Sequence, residues 1–117
     1  MIQKNIPLKD ASDTSKTTNS PGVYILYRNG CIMKVGKAEI GIQKRMQQYY
    51  GCNSFCGLNC YINEQNRDSV TVTYQTCSKE ECKELEAKLF SKYGGVAVMP
   101  WATRAPSLNS DMCKLLI

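Results

Sequence analysis

The chain has 117 residues, with 15 Lys and Arg against 10 Asp and Glu for a formal charge of +5, which leaves room for one domain and a modest positive balance suited to a polyanion partner. Histidine is absent, so Ser-His-Asp and Cys-His nucleophile arrangements and histidine-containing zinc sites are excluded, and any general acid or base must be Tyr, Lys, Asp, Glu or Cys. No apolar run approaches the roughly 18 to 20 residues that span a bilayer, and the N-terminal MIQKNIPLKD lacks the apolar core of a signal peptide, so a cytoplasmic protein with no membrane partner is expected.

Residues 1 to 20 are polar and end in TSKTTNSP, which reads as an N-terminal arm with little core content, with the domain proper expected over residues 21 to 117. Val23 to Tyr27 and Cys31 to Val35 are apolar, β-branched and aromatic runs separated by Arg28-Asn29-Gly30, a hairpin signal because Asn and Gly tolerate positive φ. Register decides what the hairpin presents. A two-residue Asn29-Gly30 turn pairs Tyr24 with Val35 and sends Tyr24 and Lys34 to opposite faces; a three-residue turn pairs Tyr24 with Lys34 on one face.

A helix is expected from about Ile40 or Gly41 to Tyr50, with Ile42, Met46 and Tyr49 on its buried stripe. Arg45 and Tyr49 are one turn apart and project from the same side. Residues 51 to 68 read as loop. Their Cys52, Cys56 and Cys60 have a helical rhythm, but the intervening Gly and Asn residues and the want of a fourth nearby ligand favour ordinary thiols over a metal site. The seven cysteines, an odd number, are expected to be reduced.

Ser69 to Cys77 alternates strictly and predicts a strand with Val70, Val72 and Tyr74 on one face. Ser78 and Glu81 form a capping-box pattern that opens a helix to about Tyr93, closed by Gly94-Gly95. The apolar stripe of that helix, Cys82, Leu85, Leu89, Phe90 and Tyr93, has Glu86 in its middle, and a carboxylate there needs a partner, a metal or a cleft. Beyond it, Val96 to Met99 suggests a short extended piece, and Met112 to Ile117 an apolar segment that docks on the body.

Singly, Tyr24 is a strand-packing aromatic, Arg45 a solvated helix charge, and Lys34 and Lys37 surface lysines. Their order carries more. Gly22-Val23-Tyr24, Lys34-Val35-Gly36-Lys37, Arg45 with Tyr49, Leu85-Glu86-Ala87 and Pro106-Ser107-Leu108-Asn109 together resemble the GIY-YIG nuclease family over most of residues 21 to 109. The likeness is strongest to the N-terminal nuclease domain of the bacterial nucleotide-excision-repair incision subunit.

The resemblance implies an α/β (α+β) fold, a small three-stranded antiparallel sheet flanked by helices, and metal-dependent hydrolysis of DNA phosphodiester bonds, RNA not being excluded. By matched position, Glu86 holds a single divalent cation, Mg²⁺ or Mn²⁺. Arg45 contacts the scissile phosphate, Tyr24, Lys37 and Tyr49 line the site, and Asn109 supports it. This is consistent with elementary chemistry, since a crowded anionic transition state calls for a guanidinium and a Lewis acid, and the cation's hard ligand is a carboxylate.

The departure is Lys34, where family members commonly carry tyrosine. Either Lys34 or Tyr24 then serves as base, or the chain is a catalytically inactive nucleic-acid-binding module on the same fold. A chain of this length leaves no space for a separate recognition domain, so low specificity is expected, or specificity supplied by dimerisation or a partner.

Overall fold

The computed structural model describes residues 1–52, 61–95, 99–101 and 115–117. Four strands, β1 (Ile2–Pro7), β2 (Gly22–Arg28), β3 (Cys31–Ala38) and β4 (Val70–Thr76), form one antiparallel sheet in the order β1-β4-β2-β3. Among the described residues three α-helices accompany them, α1 (Leu8–Ala11), α2 (Ile42–Tyr50) and α3 (Cys82–Lys92). The α+β class is the one expected, with one strand more than the three anticipated.

The additional strand is β1, in the segment read as a polar arm. Its pairing with β4 is interrupted between Gln3 and Ile6, where Asn5 takes a φ of 53°. Such an irregularity breaks the period-2 pattern by which a strand is recognised. The segment is also anchored by apolar burial, because Leu8 and Ala11 of α1 are wholly buried.

The sheet separates two apolar layers. On one face Tyr24, Leu26, Val70, Val72 and Tyr74 pack with Ile42, Met46 and Tyr49 of α2 and with Leu8 of α1. On the other, Val23, Ile25 and Val35 pack with Leu85, Leu89 and Phe90 of α3. Alternation along β2 thus feeds both layers, as a strand covered on both sides requires. The stripe expected on α2 is buried, as are Cys82, Leu85, Leu89 and Phe90 of the stripe expected on α3 and the Val70, Val72, Tyr74 face of β4, whereas Tyr93, just past the end of α3, is only half-buried.

The helix boundaries follow local chemistry. The capping box at Ser78 and Glu81 is complete, with Ser78 Oγ accepting from the Glu81 amide at 3.2 Å and a Glu81 carboxylate oxygen accepting from the Ser78 amide at 3.1 Å. It opens a single 3-10 turn, Lys79–Glu81, that runs into α3. At the far end, Leu115 and Ile117 join the α3 layer, the Leu116 amide donates to Gln75 Oε1 at 2.7 Å, and Lys92 Nζ donates to the Ile117 carbonyl at 2.9 Å. The docking expected of the last residues is therefore seen at 115–117; Met112 and residues 96–98 lie outside the described residues.

The hairpin register corrects both sequence alternatives. The turn is the two-residue Asn29-Gly30 kind, with φ of 53° and 77°, so Arg28 pairs with Cys31 and Tyr27 with Ile32. A bulge then intervenes: Leu26 pairs with Lys34 and Tyr24 with Gly36, leaving Met33 as the extra residue. Directly opposed residues share a face, so the bulge returns Lys34 to the face of Tyr24 and Leu26, the outcome expected only of a three-residue turn.

Candidate active site

The site forms where the middle of β2, the edge strand β3 and α2 meet. Tyr24 and Tyr49 are 2% and 3% exposed, and their hydroxyls hydrogen-bond to each other across 25 residues of sequence. The rings meet edge to face, with centroids 5.9 Å apart and planes at 68°, an arrangement that aromatic quadrupoles favour.

Gly36 makes this possible. A methyl group built on Gly36 would lie 2.5 Å from Tyr24 Oη and 2.6 Å from Cζ, well inside van der Waals contact. The Tyr24 side chain therefore passes over the bare backbone of its cross-strand partner, and a side chain there would block it.

The electrostatics identify two further members. Burial pushes the Tyr24 hydroxyl well above its ordinary pKa of 10.0, the Tyr49 charge and hydrogen bond push it the same way, Arg45 pulls it down and Glu86 pushes it up. Arg45 and Glu86 reach Tyr24 from different helices, α2 and α3, and both are half-buried. Tyr24 thus remains a neutral hydroxyl at ordinary pH, between a cation and a carboxylate.

The other expected residues divide. Lys34, half-buried on β3, shares the sheet face of Tyr24. Lys37 pairs with Val23 on the opposite face and forms an ion pair with Glu39 at 3.3 Å; its charge is felt by Cys82. The structure therefore brings Tyr24 and Tyr49 together with Arg45 and Glu86 within electrostatic reach, leaves Lys34 on the same sheet face as Tyr24, and sends Lys37 to the α3 side. Asn109 lies outside the described residues, as do Cys56 and Cys60.

One residue that positions the site gave no usable signal. Asn19, inside the run read as lead-in, accepts from the Lys44 amide through Oδ1 at 3.0 Å and donates from Nδ2 to the Ile40 carbonyl at 3.2 Å. It thereby satisfies one of the open amides in the first turn of α2, the helix that carries Arg45 and Tyr49. Asn is a good capping residue, but local rules look for it immediately before a helix, whereas Asn19 acts across 25 residues. Gln43, itself buried whereas Asn19 is exposed, ties the same helix to α1 by donating to the Ser12 carbonyl at 2.7 Å.

No family model matches the sequence, and no curated protein matches it. Among solved structures, the chain is similar to the GIY-YIG N-terminal endonuclease domain of UvrC from Thermotoga maritima, in point-mutant forms bound to the catalytic divalent cation of that protein. The likeness to one form is at 24% identity with a TM-score of 0.49, and to a second at 21% with 0.48, each covering 74% of this chain and 86% of the other.

Proposed function

We propose that the chain is a GIY-YIG-type endonuclease, hydrolysing DNA phosphodiester bonds with a single divalent cation, Mg²⁺ or Mn²⁺, and with low intrinsic sequence specificity. The observation that carries the reading is the buried Tyr24–Tyr49 hydroxyl pair lying in the fields of both Arg45 and Glu86, residues drawn from β2, α2 and α3. A tyrosine placed only for packing needs neither charge.

The residues present suit one hard cation. Glu86 is a half-buried carboxylate on a helix face otherwise made of Cys82, Leu85, Leu89 and Phe90. Among the described residues no three Asp, Glu or Cys side chains gather into a metal-binding group. One carboxylate, with water and phosphate oxygens completing the shell, is how Mg²⁺ is commonly held. Bound there, the cation supplies Lewis-acid stabilisation of the phosphate charge.

The chain's own side chains supply the remainder. Arg45 holds the scissile phosphate through its guanidinium fork, whose charge matches the anionic transition state. Tyr24, kept neutral by burial, donates and accepts hydrogen bonds through Tyr49 and orients the phosphate or the attacking water. A tyrosine whose pKa is raised is a poor general base at neutral pH, because an efficient base has a pKa near the working pH. With Tyr24 set aside, the proton-accepting role falls to Lys34, on the same face of the sheet, which can fill it only as the neutral amine.

Nicking of supercoiled plasmid with and without Mg²⁺ or Mn²⁺ tests the assignment. Arg45→Ala and Glu86→Ala are each expected to lower the rate by at least roughly 10²- to 10³-fold with an unchanged unfolding transition. Lys34→Arg keeps the charge but gives up no proton, so it is expected to be inactive if Lys34 is the base and active if only its charge matters. No cleavage with Mg²⁺, Mn²⁺ or Co²⁺, alongside retained DNA binding, would replace the enzyme with a nucleic-acid-binding module.

A further inference from the structure

On the α3 side of the sheet lies a pair of thiols that the proposed hydrolysis does not use. Cys77 follows the end of β4 and is half-buried, Cys82 is the first residue of α3 and is fully buried, and their sulfurs are 3.4 Å apart. We propose that Cys77 and Cys82 are a reversible thiol–disulfide pair, a modification site at which a hydroperoxide oxidises the protein.

Several features place the two sulfurs together. Between the cysteines, the Ser78–Glu81 capping box and the 3-10 turn fold four residues back on themselves, which brings the end of β4 to the first turn of α3. The Cys77 amide donates to the Pro21 carbonyl at 3.0 Å, holding its backbone against the start of β2. Cys82 Sγ is within hydrogen-bonding reach of the Ser78 carbonyl at 3.4 Å and the Gly22 carbonyl at 3.7 Å. A disulfide needs an S–S distance of about 2.05 Å, so the sulfurs must close by roughly 1.4 Å, within the reach of side-chain rotation and a small shift at a helix end.

Exposure assigns the roles. Cys77 is the thiol a reagent in solution can meet, and Cys82 is the buried resolving thiol beside it. The Cys77 thiolate attacks one oxygen of the hydroperoxide, forming an S–O bond and breaking the O–O bond, and the departing alkoxide is protonated to an alcohol. Cys82 sulfur then attacks the Cys77 sulfenic acid, forming the S–S bond, and hydroxide leaves with the Cys82 proton as water. In sum, two thiols and one hydroperoxide give one disulfide, one alcohol and one water, a two-electron oxidation.

In the fully reduced pair the hydrogen bond from Cys77 holds the Cys82 thiol below its ordinary pKa of 9.0; desolvation, Glu39 and Glu81 oppose this, and Lys37 assists it.

The test treats the native, fully reduced protein with hydrogen peroxide, blocks remaining thiols with an alkylating agent and digests with trypsin. Cleavage after Arg67, Lys79 and Lys83 puts Cys77 in residues 68–79 and Cys82 in residues 80–83. The expected product is these two peptides joined, 2 mass units lighter than their sum, and separated again by dithiothreitol. It should form at least about tenfold faster in the native protein than in urea, because the fold holds the sulfurs together. In Cys82→Ser, a dimedone adduct should accumulate on Cys77. Alkylated Cys77 and Cys82 after peroxide, linkage of either to another cysteine, or equal rates with and without urea would each overturn the proposal. None of these readouts depends on nuclease activity.

Discussion

Gly36→Ala gives the most direct check on how the site is built. The new methyl would sit 2.5 Å from Tyr24 Oη and 2.6 Å from Cζ, where ordinary carbon contacts lie at about 3.5 to 4.0 Å, so the ring must move by roughly 1 Å. Tyr24 has nowhere cheap to go, since it is 2% exposed and tied to Tyr49 by a hydrogen bond and an edge-on ring contact. Overpacking of this kind costs about 1 to 3 kcal/mol. In a Tyr24→Leu background the obstruction is gone, and Ala in a strand should instead be better than Gly by about 0.5 to 1 kcal/mol. The effect of one methyl group therefore changes sign with residue 24, a coupling of about 1.5 to 4 kcal/mol. Urea unfolding of the wild type, both single variants and the double variant measures it. Equal effects of Gly36→Ala in the two backgrounds, within about 0.5 kcal/mol, would refute the claim that Gly36 exists to admit Tyr24.

Further predictions concern pH and the helix ends. Because the Tyr24 pKa is raised in the fold, its contribution to stability is complete below about pH 10 and declines as pH rises from there toward its own higher value; Tyr24→Phe should show a shallower decline in alkaline urea titrations. Tyr27 and Tyr74, also raised chiefly by burial, should keep part of the slope in that variant. Asn19→Ala removes the acceptor for the Lys44 amide and should cost about 1 kcal/mol in urea unfolding, with a fall in nicking rate because α2 carries Arg45 and Tyr49. Ser78→Ala undoes the capping box of the turn leading to α3 and should cost a similar amount, about 1 kcal/mol.

The pieces that local chemistry governs were legible in the chain itself. Alternation announced β4, spacings of three and four announced the buried stripes of α2 and α3, and Ser78 with Glu81 announced the turn into α3, because each signal lies within a few residues of what it controls. Glu86 stood out for the same reason, a carboxylate among apolar neighbours one turn away. Tertiary structure decided what depends on residues far apart. β1 has an irregular, mostly polar sequence and becomes a strand because β4 offers it an edge. The bulge at Met33, which sets the side of the sheet Lys34 occupies, depends on pairing along the whole hairpin and not on the turn residues alone. Lys37, adjacent to Gly36 in sequence, is sent to the other face by the same pleat that lays Tyr24 over Gly36. The order of motifs thus pointed to the candidate residues, while the side of the sheet each one faces was decided by register, where a shift of one residue reverses every side chain.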